Sequence, residues 1–178
     1  MDNLGTRKTP QSASSRTLVR VASRSDLTAI ASLLLAAFTE FRELYTPEAF
    51  ASTVPPESGI LARMEEGPVW VAEKGSALVG TASAIPAVEH LMVRGMAVSP
   101  EARGSGIAKV LLQQAEDFAR QRGYRRLALY TTAFLRSAIH LYESAGFQFT
   151  GETICPHRTE LLRMEKVLRM TQEYKEPA

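Results

Sequence analysis

The chain has 178 residues, of which 45% are hydrophobic and 22% charged, and these values predict one soluble globular domain with a sizeable core. A formal net charge of +2 suits a small anionic ligand but is too small to favour DNA or RNA as a partner. The single cysteine, Cys155, excludes an internal disulfide and a multi-cysteine metal site. The three histidines lack ligand spacing, so we expect no bound metal.

The two ends of the chain are polar. Residues 1–16 and 172–178 contain few large apolar side chains, which predicts two flexible tails around a single domain at 17–171. The first residues lack the apolar region of a signal peptide, and no apolar run approaches the roughly 20 residues that span a bilayer. We therefore expect a cytoplasmic protein with no membrane partner.

The first half of the chain predicts a strand, helices and a hairpin. Residues 17–22 alternate as a strand, and Ser25 or Asp26 then caps a helix. The apolar face of that helix is Leu27, Ile30, Leu33, Leu34, Ala37 and Phe38. Residues 47–64 predict a second helical stretch or an ordered loop, broken by Pro55 and Pro56. Residues 69–73 and 78–85 flank the turn Lys74-Gly75-Ser76 and predict a hairpin.

The second half predicts alternating strands and helices. We expect a strand at 90–98, a helix at 106–122 ended by Gly123, a buried strand at 127–131, a short helix at 138–145 ended by Gly146, and closing strands at 147–154 and 160–168. This order predicts a mixed α/β sheet of six or seven strands flanked by helices.

The segment from Arg103 to Lys109 lies where the 90–98 strand gives way to a helix. The first turn of a helix presents unpaired N–H groups and a positive dipole end, which attract phosphate. Gly104 and Gly106 lack Cβ atoms, so a diphosphate can approach the backbone, and Arg103 and Lys109 add positive charge.

Two other phosphate-binding motifs can be checked against the sequence of this glycine-rich segment. The GxxxxGK pattern of a P-loop is absent, and the third glycine of a dinucleotide fingerprint is missing after Gly106. The remaining alternative is a loop that merely begins a helix.

The residues from Arg103 to Ala108 match the signature of the GNAT superfamily of N-acetyltransferases, which is Gln or Arg, two residues, Gly, one residue, then Gly or Ala. Residues 93–100 resemble that family's fourth strand, residues 138–147 its late helix and following strand, and residues 162–166 its last strand. The resemblance covers roughly residues 17–170 and is specific from Leu91 to Thr150.

The resemblance implies a splayed sheet whose fourth and fifth strands separate around acetyl-CoA, the expected co-substrate. The backbone of the fourth strand would bond the pantetheine arm, the glycine turn would hold the pyrophosphate, and Tyr142 would stand near the sulfur. The implied contacts are Met96, Ala97, Val98, Arg103, Gly104, Ser105, Gly106, Ile107, Ala108, Lys109 and Tyr142.

The sequence departs from the family at two positions. Many members carry Asn where this chain has Leu135, and Arg136 is a candidate substitute for the lost polar contact. Some members carry a glutamate as general base where this chain has Met92. His90 and Glu89, which precede the fourth strand, are the remaining candidates for the base, and the ordinary alternative is that both are solvated strand-edge residues.

The chemistry assigns roles to three groups. An alkylamine with a pKa near 10.4 is neutral to only about one part in a thousand at pH 7, so a base or a water chain must remove its proton. A strand N–H, such as that of Met96 or Val98, would stabilise the oxyanion. Tyr142 would protonate the leaving thiolate, or would otherwise be an ordinary core aromatic.

The sequence therefore predicts direct acetyl transfer to a primary amine in a ternary complex, with a non-catalytic acyl-CoA-binding module or sensor as the alternative. A purely structural domain is disfavoured by the intact phosphate turn. Small amines, amino acids, aminoglycosides and peptide N-termini all remain open as acceptors, because acceptor pockets come from variable segments, here 38–64. A homodimer is compatible with the sequence.

Overall fold

The structure is a computed structural model that describes residues 17–169. The strands are β1 (Thr17–Val21), β2 (Val69–Lys74), β3 (Ala77–Pro86), β4 (Leu91–Val98), β5 (Arg126–Thr131), β6 (Gln148–Ile154) and β7 (Leu161–Val167). The helices are α1 (Leu27–Phe38), α2 (Pro47–Thr53), α3 (Glu57–Glu66), α4 (Ile107–Gln121) and α5 (Arg136–Ser144). The tails predicted at 1–16 and 172–178 lie outside the described residues, as do residues 170 and 171.

The strands form one seven-stranded sheet in the order β1-β2-β3-β4-β5-β7-β6. The pair β4–β5 is parallel and every other neighbouring pair is antiparallel. The predicted mixed sheet flanked by helices is thus confirmed. Its only parallel junction in the described range lies at the centre, between the strand that precedes α4 and the strand that follows it.

Helices cover both faces of the sheet, and β2 is accordingly apolar on both sides. Trp70 and Ala72 belong to a core shared with α4 and α5, whereas Val69 and Val71 belong to a second core with α1 and α3. Successive residues of a strand point to opposite faces, which explains this division. Burial of Val69, Trp70, Val71 and Ala72 is nearly complete, with at most 4% of each exposed.

Element boundaries differ slightly from those predicted. β4 begins at Leu91 and leaves His90 in the preceding loop, while α5 begins two residues early, at Arg136. No local sequence feature predicts the early start of α5, because Leu135 at the N-cap has no side-chain hydrogen-bond acceptor. Gly123 and Gly146 have φ of +78° and +91°, as predicted for glycines that end helices.

Asp26, and not Ser25, is the N-cap residue of α1, and its carboxylate holds the turn before the helix. A short 3₁₀ turn at Arg24–Asp26 precedes the helix. The Asp26 carboxylate accepts hydrogen bonds from both terminal nitrogens of Arg20 at 2.8 Å and from the Ser23 backbone N–H at 2.7 Å. These contacts hold the pKa of Asp26 well below its usual range, against the opposing effect of burial.

Candidate active site

β4 and β5 separate partway along their length. Their pairing covers Leu91 to Val93 on β4 and Leu127 to Leu129 on β5. Beyond Val93, β4 continues to Val98 paired with β3 alone among the described strands. One edge of residues 94–98 therefore lacks a strand partner, and the predicted splay is confirmed.

A β-bulge lies where the splay begins. Three steps along β4, from Arg94 to Ala97, match two steps along β3, from Ser83 to Thr81. Gly95 provides the extra residue and has φ of +58°, a conformation that L side chains rarely adopt. A bulge re-aims the backbone, so the edge groups after Gly95 leave the regular ladder direction and face the gap between β4 and β5.

The predicted phosphate turn follows β4. A 3₁₀ turn at Pro100–Ala102 leads into Gly104 and Gly106, whose φ values are +75° and +83°. A Cβ added at either glycine would meet no atom within 4 Å, so open space lies above both residues. The backbone N–H groups of residues 104–109 find no hydrogen-bond partner within the described chain. These free donors at the start of α4 fit a diphosphate.

Packing fixes the direction of α4. Ile107 is 2% exposed, and a Cβ added at Gly80 on β3 would lie 2.7 Å from its Cγ2 atom. Gly80 therefore allows the first turn of α4 to lie close to the sheet. The free N–H groups are held at the end of β4 because this contact anchors the helix there.

The side chain of Arg103, predicted to add positive charge to the turn, contacts groups at the end of α1. Its guanidinium pairs with Glu40, and its Nη2 atom donates to the Ala37 carbonyl oxygen at 2.9 Å. Arg103 thus ties the glycine turn to the end of α1, and Glu40 offsets its charge. Lys109 is exposed and forms no ion pair with any described residue, so it keeps a free cation beside the turn.

Tyr142 lies on the inner face of α5. It is 8% exposed, and its ring centroid is 5.9 Å from that of Phe147. Burial, with a smaller effect from the neighbouring Tyr45 phenol, raises the pKa of Tyr142. The phenol therefore stays protonated at neutral pH and can donate. Its hydroxyl forms no hydrogen bond with any side chain or backbone group in residues 17–169.

An aromatic cluster lies beside Tyr142. Tyr45 contacts Phe134 edge to face at 4.8 Å and Phe50 at 6.2 Å, and Phe41 stacks on Phe134 at 6.4 Å. Three of these rings come from the 38–64 segment predicted to shape the acceptor pocket. Tyr45 and Phe50 also line an open groove of about 610 Å³ between α1 and α2.

The end of β5 carries two buried hydroxyls. That of Thr131 is unpaired within the described chain, and that of Thr132 lies beside the Tyr45 phenol. They immediately precede the loop to Leu135, where the family's Asn contact is missing. Arg136, the candidate substitute, is exposed. The Thr131 hydroxyl is therefore a further group that a ligand in the splay could engage.

The two candidate bases lie away from the bulge. Glu89 is exposed in the loop before β4, and His90 is half-buried. Gly95 is five positions after His90, which corresponds to about 16 Å along a strand. His90 helps lower the pKa of Glu152 on β6, where the hydrogen bond from Tyr130 is the largest cause. Met92, at the family's base position, is half-buried and offers no titratable group.

Sequence reasoning missed a polar network across β5, β7 and β6. The Tyr130 hydroxyl donates to Glu152 at 2.8 Å, and Arg163 donates to Glu152 at 2.8 Å and to Glu165 at 2.5 Å. The available signal was the alternation of Arg163 and Glu165 with apolar residues in β7. Within residues 17–169, no group of three His, Cys, Asp or Glu side chains is arranged to hold a metal ion.

Comparison with known proteins gives the family. The sequence model of the Acetyltransferase (GNAT) family matches residues 28–147. The chain belongs to the GNAT family. N-acetyltransferase 8 from Rattus norvegicus is 41% identical over 90 residues, which are 47% of this chain and 40% of that protein. The chain thus spans about two-fifths of the length of the curated relatives it matches.

Solved structures share the fold over most of this GNAT chain. The PaiA N-acetyltransferase from Thermoplasma acidophilum, in complex with coenzyme A, has a TM-score of 0.75 at 18% identity and covers 86% of this chain and 99% of its own. The ribosomal-protein-alanine N-acetyltransferase from Brucella melitensis has a TM-score of 0.68 at 27% identity, covering 85% and 99%. None of the helices described for this chain is both long and apolar enough to cross a bilayer.

Proposed function

We propose that this chain transfers the acetyl group of acetyl-CoA to a primary amine by direct attack in a ternary complex. The observation that carries the proposal is the opening between β4 and β5, which leads to a glycine turn whose backbone donors are free. A narrow thioester arm fits along the unpaired edge of residues 94–98, and a diphosphate fits residues 104–109.

The residues of the splay have defined roles in this reaction. A backbone N–H after the Gly95 bulge, that of Met96 or Val98, stabilises the oxyanion formed when the amine attacks the thioester carbonyl. The C–S bond then breaks, and the Tyr142 phenol donates its hydrogen bond or proton to the departing thiolate. Burial raises the pKa of Tyr142 and so keeps the phenol protonated. Its hydrogen bond strengthens as negative charge develops on the sulfur, because hydrogen bonds to charged acceptors are the stronger ones.

Removal of the amine proton needs a path to solvent. His90 and Glu89 are the proposed bases, and their distance from the bulge requires intervening water. The alternative function, a non-catalytic acyl-CoA-binding module or sensor, is favoured by Met92, which places an apolar side chain where some family members have a glutamate. The acceptor is a small-molecule or peptide amine.

The test is an acceptor screen that follows release of CoA. Amino acids, small amines, aminoglycosides and peptides with free N-termini are each supplied with acetyl-CoA, and the acetylated product is verified by mass. Product formation with any amine supports the enzyme. Acetyl-CoA binding without turnover in the whole screen supports the sensor, and an absence of binding contradicts both.

A further inference from the structure

The guanidinium of Arg63 lies against the bulge of β4. Its Nη1 atom is 2.5 Å from the point that a Cβ on Gly95 would occupy, so a side chain there would displace the guanidinium. Its Nη2 atom donates to the Ser52 carbonyl oxygen at 2.8 Å. Gly95 directly precedes Met96, so α3 delivers a cation to the point where the splay begins.

Positive charge is in excess at this point. No carboxylate in residues 17–169 forms an ion pair with Arg63, and its acidic neighbour Glu66 is paired with Arg94. Two guanidinium groups therefore lie near one carboxylate, and the Nε of Arg94, like that of Arg163 on β7, is buried without a partner in the described chain. Burial and the neighbouring Arg94 lower the pKa of Arg63 to about 10, so the group stays cationic at neutral pH.

Negative charge is in excess across the splay. The network of Tyr130, Glu152, Arg163 and Glu165 places two carboxylates on one guanidinium. If the β4–β5 ladder continued beyond Val93 and Leu129, Arg94 would lie opposite Tyr130, and Tyr130 is paired with Arg163. Alternation along the strands puts these side chains on the same face of the sheet. The opening thus has a cationic side and an anionic side.

We infer that the acceptor is a small zwitterion, in which a primary amine and a carboxylate lie close together as in a free α-amino acid. Arg63, with the unpaired donor of Arg94, takes the carboxylate, while the anionic network faces the ammonium group before its proton is removed. A peptide N-terminus or a simple alkylamine has no such carboxylate. This inference rests on the proposed function and makes Arg63 a specificity-determining residue.

The experiment compares each common amino acid with its carboxamide, which keeps the amine and the side chain but removes the negative charge. For the wild type, kcat/KM with the best amino acid should exceed that with its amide by about tenfold or more, the range expected for a hydrogen bond to a charged group. Arg63→Met should remove this preference by lowering activity toward the acid alone, and Arg63→Lys should restore part of it.

A matched variant, Arg125→Met, changes the net charge equally at an exposed residue before β5 and should keep the wild-type preference. Equal losses toward acid and amide in Arg63→Met would show that Arg63 only joins α2 to α3 and would overturn the inference. A wild type that prefers amides or peptides would do the same.

A second measurement separates this inference from the proposed function. The amino acid, and not its amide, should raise the melting temperature of CoA-saturated wild-type protein but not of Arg63→Met. If no amine is acetylated, the proposed function fails while this shift still supports an amino-acid site. If no amino acid produces either turnover or a shift, the inference is wrong.

Discussion

At the scale of single residues, Tyr142 combines a buried ring with a hydroxyl that no described residue engages. The ring packs in the core, but the hydroxyl oxygen is not among the fully buried unpaired atoms, so water can solvate it in the free protein. The same hydroxyl becomes useful if sulfur or its thiolate occupies the splay. If Tyr142 is a donor to the sulfur, loss of the hydroxyl should lower kcat. If Tyr142 is only a packing residue, kcat should not change.

We predict that Tyr142→Phe lowers kcat by about 10²–10⁴-fold with little change in KM for acetyl-CoA, because a donor to the leaving thiolate acts in the transition state. Steady-state rates with one acceptor measure this. Tyr124→Phe is the matched control, since Tyr124 is a half-buried tyrosine packed on the same core, and its kcat should stay at the wild-type value. A change below about threefold in Tyr142→Phe would make Tyr142 a packing residue.

One carboxylate holds the turn that precedes α1. Asp26 has 11% of its side chain exposed and accepts from Arg20 and Ser23. Because its folded-state pKa is lowered, its contribution is complete above the unfolded pKa near 3.9 and disappears as pH falls through the folded value. Asp26→Asn should therefore be less stable at pH 7 by about 1.5–3 kcal/mol.

Urea unfolding at pH 7 and pH 3 tests the acid dependence of that difference. The free-energy gap between wild type and Asp26→Asn should narrow at pH 3, because the wild type loses part of the contribution there. Glu48→Gln, at an exposed position in the first turn of α2, should change the unfolding free energy little at either pH. A gap that stays constant between the two pH values would show that Asp26 acts by its shape and not by its charge.

At the scale of elements, the glycine turn and α4 form one unit. The turn supplies the free N–H groups, and the buried Ile107 holds them at the end of β4. Open space at Gly106 means that a side chain there would not clash with the protein. The effect of a substitution at Gly106 therefore comes from backbone conformation or from charge. Asp and Asn have nearly the same shape, so comparing them separates the two effects.

We predict that Gly106→Asp binds CoA at least about tenfold more weakly than Gly106→Asn. Both residues tolerate the positive φ of +83°, and only Asp places negative charge beside the diphosphate. Calorimetric titration with CoA measures both variants, and raising the salt concentration should narrow the difference. Equal affinities would place the phosphates elsewhere.

Local signals explain which parts of the site the sequence could predict. The glycine turn was predictable because strand, glycines and helix follow one another within a dozen residues, and Gly123 marks the helix end by its own conformation. The network of Tyr130, Glu152 and Arg163 depends on the register of three strands that are distant in sequence. The contact of Arg63 with Gly95 likewise joins residues far apart in the chain, so no local pattern predicts it.

At the scale of the whole molecule, the open edge of β4 has a thermodynamic consequence. Unpaired strand groups and free helix N–H groups gain protein-bound partners when a ligand fills the splay of the native protein, and unfolding destroys both sites at once.

We predict that acetyl-CoA at about 100 times its Kd raises the unfolding free energy by about 2.7 kcal/mol. For a domain of this size that corresponds to a rise in Tm of about 5–10 °C. Thermal unfolding with increasing acetyl-CoA measures the shift, which should grow with the logarithm of its concentration. Adenosine lacks both the diphosphate and the pantetheine arm and should leave Tm unchanged, and Gly106→Asp should shift less than Gly106→Asn at equal ligand. An unchanged Tm at millimolar acetyl-CoA would contradict binding in the splay.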